Sequence, residues 1–248
     1  MPKEFEKDDM NYYLLELARE FKRLTHRKAE AEIVLVGGAS IVLNYGFRNT
    51  TTDFDALIQA PTAIRDAVNN VRDRLDLPMG WINEDFKITA SYTPKLYKYS
   101  SYYRTYANVM TVRTIVGQYL VAMKLRSGRK YKHDLSDIVG ILMTHRMEGN
   151  PLLPDDIREA YEQLYGDWNE LPEDSRLFVN GLAEDEQLAE RYVETIEAER
   201  GIKETVIDFE QKYPDTINLA NEDEIINMLT NRNKSGNNKN GENEDGVL

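Results

Sequence analysis

Two aspartates separated by one apolar residue are the first candidates for chemistry, Asp53 and Asp55 in the run TDFDALI. In a β-strand alternate side chains lie on the same face, so both carboxylates would point the same way. Two carboxylates on one face repel each other unless a cation or a proton lies between them. Because the chain has no cysteine and only three histidines, we expect oxygen ligands and therefore Mg²⁺ or Mn²⁺. Such a metal site suits the phosphates of a nucleotide.

A glycine pair precedes these aspartates. Gly37 and Gly38 follow the apolar run VLV and open a short apolar segment. Backbone amides at a strand-to-helix turn bind phosphate, and glycine lets a ligand approach the backbone closely. We expect Ser40 to donate its hydroxyl to a phosphate oxygen, with a helix-capping role as the alternative. Arg48 is expected to help bind the nucleotide, with a solvated loop position as the alternative.

A second group of candidates lies further along the chain. Lys124 stands in the apolar run YLVAMKL, and a buried lysine needs an anionic partner. Asp134 and Asp137 are three residues apart and share a helical face, so they or a nucleotide phosphate are candidate partners. The alternative is that Asp134 is an N-cap and that Lys124 and Asp137 form a structural ion pair. Arg129, in a basic run, is expected to bind phosphate or an RNA backbone.

The glycine pair, the helical gap and the Asp-apolar-Asp motif together resemble the nucleotidyltransferase superfamily with the polymerase-β-like fold. The Lys124 run and the paired aspartates after it resemble the AbiEii/MenT-type nucleotidyltransferases, a group that includes toxins of toxin–antitoxin and phage-defence systems. The resemblance covers roughly residues 30–145. It implies an enzyme with Asp53, Asp55, Lys124 and Asp137 as catalytic residues, Gly37, Gly38, Ser40, Arg48, Arg129 and Asp134 as nucleotide-binding residues, and Asp53 and Asp55 as metal ligands.

The sequence departs from that superfamily in one respect. Polymerase-like members take a third carboxylate from a later strand, whereas the strands predicted here between residues 86 and 112 contain no acid. Glu84 and Asp85 precede them and are the remaining candidates, with acids of a surface turn as the alternative. His133 also stands where the AbiEii/MenT-type group often has arginine.

Apolar spacing and turn residues predict the elements that position these groups. We predict an α+β protein whose residues 1–150 form a nucleotidyltransferase core, a small mixed sheet flanked by helices. Residues 151–230 are predicted as an acidic helical domain, and 231–248 as a disordered tail with little to bury. The predicted helices cover 10–29 with Asp9 as N-cap, 39–45, 61–75, 115–126, a segment from Asp134, 155–165, 184–200 and 202–211; the predicted strands cover 33–36, 54–58, 86–91 and 109–112.

Charge is segregated along the chain, although the formal net charge is −12. The segment 86–133 contains ten Lys or Arg and no acid, whereas 134–230 contains twenty-five acids and seven bases. Local charge governs the attraction of ligands, so the basic segment is expected to bind an RNA or tRNA acceptor. Its tyrosines between residues 92 and 106 would either stack unpaired bases or pack within strands.

These observations favour a cytoplasmic nucleotidyltransferase that moves a nucleoside monophosphate from an NTP to RNA or protein. The chain has no apolar run of membrane-spanning length and no apolar core of a signal peptide at its start, so no membrane partner is expected. The resemblance implies a toxin–antitoxin or phage-defence role, with an antitoxin protein as partner. Three alternatives remain open: an antibiotic-type small-molecule nucleotidyltransferase, a non-catalytic member that binds a nucleotide or a partner, and an interaction protein with acidic helices.

Overall fold

A computed structural model describes residues 3–128 and 133–214, together with the isolated residues 216, 225, 226 and 228. Arg129 and the predicted tail 231–248 lie outside these described residues. The strands are β1 Phe5–Glu6, β2 Ala31–Leu35, β3 Thr50–Thr51, β4 Phe54–Gln59, β5 Ile82–Asn83, β6 Ser100–Tyr106 and β7 Met110–Ile115. The helices are α1 Lys7–Leu24, α2 Gly37–Asn44, α3 Ala63–Leu75, α4 Gly117–Ser127, α5 Asp134–Met147, α6 Pro154–Tyr165, α7 Glu173–Glu184 and α8 Leu188–Lys212.

Within the described ranges, the main sheet has five strands in the order β5-β4-β2-β7-β6. The central strand β2 pairs antiparallel with β4 and parallel with β7. At the two edges, β5 runs parallel to β4 and β6 runs antiparallel to β7. A separate antiparallel pair joins β1 to β3. The mixed sheet that the sequence predicts is therefore confirmed.

Helices cover both faces of this sheet, as the side chains around β2 show. Ile33 and Leu35 belong to a cluster with α1 and α3, whereas Val34 and Val36 belong to a second cluster with α4 and α5. A strand that is buried on both faces has apolar residues in succession rather than in alternation. The predicted α+β architecture, a small sheet flanked by helices, is thus confirmed.

The C-terminal helices pack on the second helical layer. Helix α6 contacts α4, and α8 contacts α5. Tyr161 and Leu164 of α6 lie in the same hydrophobic cluster as Val121 and Ile138. The boundary predicted near residue 150 falls between α5 and α6, and as a division into domains it stays a prediction.

Several predicted elements need correction. Asp9 is not the N-cap of α1, because the helix begins at Lys7 and Glu6 is its N-cap; Asp9 instead accepts a hydrogen bond from the Glu6 amide at 3.3 Å.

The strand predicted over 86–91 is wrong, since Asp85–Ile88 is a short 3₁₀ helix. The helices predicted at 184–200 and 202–211 are one helix, α8, which continues through Gly201. Glycine inside a helix costs only about 1 kcal/mol, which packing readily offsets. Helix α7 was not predicted.

Gly140 of α5 has no room for a side chain. A Cβ there would lie 2.5 Å from the ring of Phe47, the residue before Arg48, whereas a Cβ on Gly181 of α7 would meet nothing within 4 Å. We expect Gly140→Ala to lower the free energy of unfolding by about 1–3 kcal/mol through overpacking. Gly181→Ala, a matched helical control, should raise it by about 0.5–1 kcal/mol. Urea unfolding measures both, and equal stabilisation by the two substitutions would contradict this packing.

Candidate active site

Strand β4 and the residue before it place the two aspartates on the side of the sheet that carries α4 and α5. Phe54 and Ala56 are fully buried in the cluster of α1 and α3, so Asp53 and Asp55 project from the opposite face. Both aspartates line two cavities of about 640 and 560 Å³, which also share Lys124. The structure therefore brings Asp53, Asp55 and Lys124 together at one cleft.

The glycine pair forms the start of α2 and needs glycine at both positions. Gly37 has φ +53°, and a Cβ there would lie 3.7 Å from Oδ2 of Asp55. A Cβ on Gly38 would lie 2.8 Å from Oγ1 of Thr51 and 2.9 Å from Nη2 of Arg48. The missing side chain at position 38 thus lets the Arg48 guanidinium lie across the first turn of α2.

A buried network of charges forms the wall opposite α2. Nζ of Lys124 donates to Oδ1 of Asp134 at 2.8 Å and lies 2.8 Å from Oδ2 of Asp137, while Nη1 of Arg48 donates to the same Oδ2 at 2.7 Å. Lys124 is only 7% exposed. Burial lowers its pKa, but the charges and hydrogen bonds of the two carboxylates outweigh burial, so the pKa of Lys124 is raised. Lys124 is therefore a stable cation.

The cleft carries more negative than positive charge. The two cavities are lined by five carboxylates, those of Glu4, Asp53, Asp55, Asp85 and Asp137, and by the three cations Arg48, Lys124 and Lys203. In the described ranges, no group of three or more His, Cys, Asp or Glu side chains is arranged as a complete metal site. Mg²⁺ usually binds to one or two carboxylates and to substrate phosphates, so the Asp53–Asp55 pair fits this type of site.

Among the described residues, the predicted binding residues Ser40 and Asp134 line neither cavity, and Asp134 is connected to the cleft through Lys124. Ser40 is fully buried, and its Oγ accepts a hydrogen bond from the Ile115 amide at 3.1 Å. Its hydroxyl oxygen joins the first turn of α2 to β7. The predicted contact between Ser40 and a phosphate stays a prediction. Arg129 lies outside the described residues, and its predicted role stays a prediction.

Glu84 and Asp85, the two candidates for a third carboxylate, have different surroundings. Glu84 accepts a hydrogen bond from the Ile58 amide at 2.9 Å and pairs with Lys87 at 2.6 Å, so it is a structural residue at the sheet edge. Asp85 lines the smaller cavity together with Asp53 and Asp55. Asp85 is thus the acid from this region that faces the cleft.

The two cavities differ in their lining. The larger one, which we call the α8 arm, is lined mainly by polar and charged groups, among them Gly38, Arg48, Thr51, His133, Asp137 and Lys203. The smaller one, which we call the Phe86 arm, is lined by apolar side chains, among them Val36, Phe86, Ile88, Leu120 and Met123. Ile88 is 83% exposed. The cleft thus offers a polar arm and an apolar arm on either side of Asp53 and Asp55.

Residues 12–170 match a family model described as a nucleotidyltransferase of unknown function (DUF6036). The chain belongs to this family. The glycine pair, Asp53, Asp55, Lys124, Asp134 and Asp137 all lie within the matched residues of this nucleotidyltransferase family. No curated protein and no solved structure matches the chain. The finer resemblance to AbiEii/MenT-type proteins stays a prediction.

Helix α8 lies beyond the residues matched to the nucleotidyltransferase family, yet it contacts the cleft. Glu199 of α8 is 3% exposed, and Oε1 accepts hydrogen bonds from the amides of Leu135 at 2.9 Å and Ser136 at 3.3 Å. The Ser136 hydroxyl donates to Oε2 at 2.5 Å. Glu199 thereby satisfies amides that the first turn of α5 leaves free. No sequence pattern distinguishes Glu199 from the many other acids of this segment.

Glu199 is buried and its neighbour His133 is partly exposed, and loss of contact with water shifts the pKa of both. Burial raises the pKa of Glu199, although its three hydrogen bonds oppose the shift. Burial and the nearby Arg48 charge lower the pKa of His133. His133 is therefore neutral near pH 7, and its 3.7 Å approach to Glu199 is not an ion pair there.

In the described part of the basic segment, residues 86–128 and 133, several charges and rings are engaged in contacts within the fold. Lys95 donates to the Gln163 carbonyl at 2.8 Å, and Arg113 donates to Ser100. The hydroxyls of Tyr103 and Tyr106 both donate to Asn11. These tyrosines follow the strand-packing alternative, and binding of RNA to this segment stays a prediction. Within the described residues, no helix combines the length and apolar character that a membrane crossing requires.

Removal of the Lys124 charge should destabilise the fold. In Lys124→Met, Asp134 and Asp137 stay almost fully buried without the cation that they share. We expect the free energy of unfolding to fall by about 3–5 kcal/mol in urea titrations. The exposed control Lys28→Met should change it by less than about 0.5 kcal/mol. The double variant Lys124→Met/Asp134→Asn should be more stable than Lys124→Met alone. If the losses of unfolding free energy in the two single variants simply add in the double variant, the coupling between Lys124 and Asp134 is contradicted.

The stability of the fold is expected to depend on pH through Glu199. Its raised pKa means that the folded state disfavours the ionised form, so its contribution to stability falls as pH rises above the ordinary glutamate value. Glu199→Gln keeps an acceptor for the α5 amides without the charge. We therefore expect its stability relative to wild type to increase from pH 4 to pH 7.

A matched truncation tests the cap itself. Glu199→Ala should cost about 0.5–2 kcal/mol at all these pH values because the α5 amides lose their acceptor. Thermal unfolding across the pH series measures all three proteins. A pH-independent difference between wild type and Glu199→Gln would contradict the titration of Glu199.

Proposed function

We propose that the chain is a metal-dependent nucleotidyltransferase that moves a nucleoside monophosphate from an NTP to a hydroxyl acceptor. The observation that carries the proposal is the cleft that Asp53, Asp55, Lys124 and Asp137 line together, with Asp134 paired to Lys124. The family match supports the same reaction class. Fold alone does not determine an activity, so the argument rests on the residues of the cleft.

Asp53 and Asp55 would hold Mg²⁺ or Mn²⁺. Their carboxylate oxygens are the ligands that these metals prefer, and a divalent cation would balance the excess of two negative charges among the eight charged groups that line the cleft. Bound there together with the nucleotide, the metal would neutralise phosphate charge and stabilise pyrophosphate as leaving group.

The start of α2 would bind a phosphate of the nucleotide. The first amides of a helix have no partner within it, and the helix dipole favours an anion at this end. Gly37 adopts a positive φ, and Gly38 leaves the space that Arg48 occupies. Arg48 is in turn held by its hydrogen bonds to Asp137 and to the Thr50 carbonyl at 3.0 Å. These contacts hold Arg48 beside the α2 amides and support a phosphate site there.

The transfer is an in-line displacement at the α-phosphorus. The acceptor oxygen forms a bond to phosphorus while the bond from phosphorus to the α,β-bridging oxygen breaks, and pyrophosphate leaves with that oxygen. The acceptor proton passes to solvent through the open cleft. Lys124 keeps Asp134 and Asp137 at fixed positions and so maintains the electrostatic surroundings of the triphosphate.

The Phe86 arm suits the nucleoside. Phe86, Ile88 and Met123 offer apolar contacts to a base, and Ile88 is largely exposed toward that space. Apolar pockets with a few polar groups are typical of sites for small organic ligands. The side chains of Thr89, Ser91 and Ser127 provide polar groups in the same arm.

The acceptor is proposed to be RNA, such as a tRNA 3′ end, or a protein hydroxyl. This part rests on the resemblance to AbiEii/MenT-type proteins, as does a toxin–antitoxin or phage-defence role with an antitoxin partner. The absence of acids from residues 86–133 supports an anionic acceptor.

Incubation with each α-labelled NTP, Mg²⁺ and total tRNA tests the reaction. We expect the label to appear on RNA, and Asp53→Asn or Asp55→Asn to lower the rate at least about 100-fold through loss of metal stabilisation. Asp66→Asn, at an exposed position on α3, is the matched control and should keep the wild-type rate. Removal of the metal with EDTA should abolish transfer in all of these proteins.

Calorimetry with each NTP in Mg²⁺ separates the alternatives. If wild-type protein binds none of the four NTPs, the proposed function is wrong. Binding without transfer to RNA, protein or an aminoglycoside would indicate a non-catalytic member. Label on the aminoglycoside alone would indicate a small-molecule enzyme.

A further inference from the structure

Helix α8 forms one wall of the α8 arm, although it lies outside the residues matched to the family. Tyr192, Ile196, Lys203 and Val206 of this helix line the cavity. Their spacing of four, seven and three residues, with Glu199 between Ile196 and Lys203, follows one face of an α-helix. The face of α8 that includes Lys203 is therefore directed toward the cleft.

Two contacts fix the rotation of α8 against the cleft. The Tyr192 hydroxyl donates to the Phe47 carbonyl at 2.9 Å, and the two rings meet edge to face at 5.5 Å. Seven residues later, the Glu199 carboxylate binds the first turn of α5. Lys203 follows Glu199 by about one helical turn, and it lines the same arm as Arg48 and Asp137.

The other basic groups of this arm are already engaged. Lys124 is bound to Asp134 and Asp137, and Arg48 is bound to Asp137. His133 has a lowered pKa, caused first by burial and then by positive neighbours that include Lys203. Lys203 itself is exposed, and no carboxylate of the described residues forms an ion pair with it. Lys203 is thus a cation that this arm can offer to an anionic ligand.

We propose that Lys203 binds the β- and γ-phosphates of the NTP, which lie in the α8 arm while the nucleoside occupies the Phe86 arm. This inference rests on the proposed function. A triphosphate carries several negative charges, more than one divalent cation can balance, and an ammonium group binds phosphate as a point charge. Lys203 would then distinguish a triphosphate from a monophosphate, and α8 would be a specificity element added to the family core.

Affinity measurements test this assignment. Calorimetry in Mg²⁺ would compare an NTP analogue whose α,β-bridging oxygen is a methylene group with the corresponding NMP. Lys203→Gln should weaken binding of the analogue about 10-fold, because a charge-assisted hydrogen bond is lost, and leave NMP binding unchanged. Lys203→Arg should restore most of the affinity. Lys212→Gln, an exposed substitution in the last turn of the same helix, is the matched control.

The outcomes separate this inference from the proposed function. If the analogue binds wild type and Lys203→Gln equally, Lys203 does not bind the phosphates, even if transfer and its loss in Asp53→Asn are observed. An unchanged analogue affinity with a raised KM for RNA would assign Lys203 to the acceptor and overturn the inference. Equal weakening of analogue and NMP would do the same, since it would indicate a general effect of charge. If wild type binds no nucleotide, both proposals fail.

Discussion

The shared burial of one lysine and two aspartates constrains the whole cleft. Removal of Lys124, Asp134 and Asp137 from water is costly, and their mutual attraction offsets this cost only when the geometry is close. Nζ of Lys124 lies 2.8 Å from both carboxylates, and Arg48 adds a second cation to Asp137. Helices α4 and α5 and the segment after α2 are thereby held in one arrangement. That arrangement determines the wall that faces Asp53 and Asp55.

The first turn of α5 concentrates acidic groups because its backbone favours them. A helix N-terminus carries partial positive charge, and Asp134, Asp137 and the Glu199 carboxylate from α8 all lie there. The same feature that stabilises these acids also gives them fixed positions. The basic end of the cleft is built from outside α5, by Lys124, Arg48 and the exposed Lys203. Opposite charges therefore come from different elements, and the cleft depends on how those elements pack.

The sequence predicts local features well, but it predicts contacts between residues far apart in the chain less well. The glycine turn, the alternation around Asp53 and Asp55, and the burial of Lys124 follow from spacing within one element or between neighbours. Ser40 is assigned to phosphate from its position in the first turn of α2, and its spacing does not reveal that its hydroxyl oxygen accepts a hydrogen bond from β7. Glu199 was missed because only tertiary packing distinguishes it from other acids of α8. The glycine at position 201 likewise led to the prediction of two helices, whereas α8 continues through it.

The reliance of α5 on Glu199 has a consequence for the order in which the protein is made. Asp134 and Asp137 leave the ribosome well before α8 does, since more than sixty residues separate α5's first turn from Glu199. At ordinary rates of synthesis the nascent chain spends seconds with the α5 amides uncapped and one side of the cleft missing. The core that matches the family can then pack before the cleft is closed. Completion of the cleft would thus have to wait for the synthesis of α8, so that a chain without α8 would not yet have all of its walls.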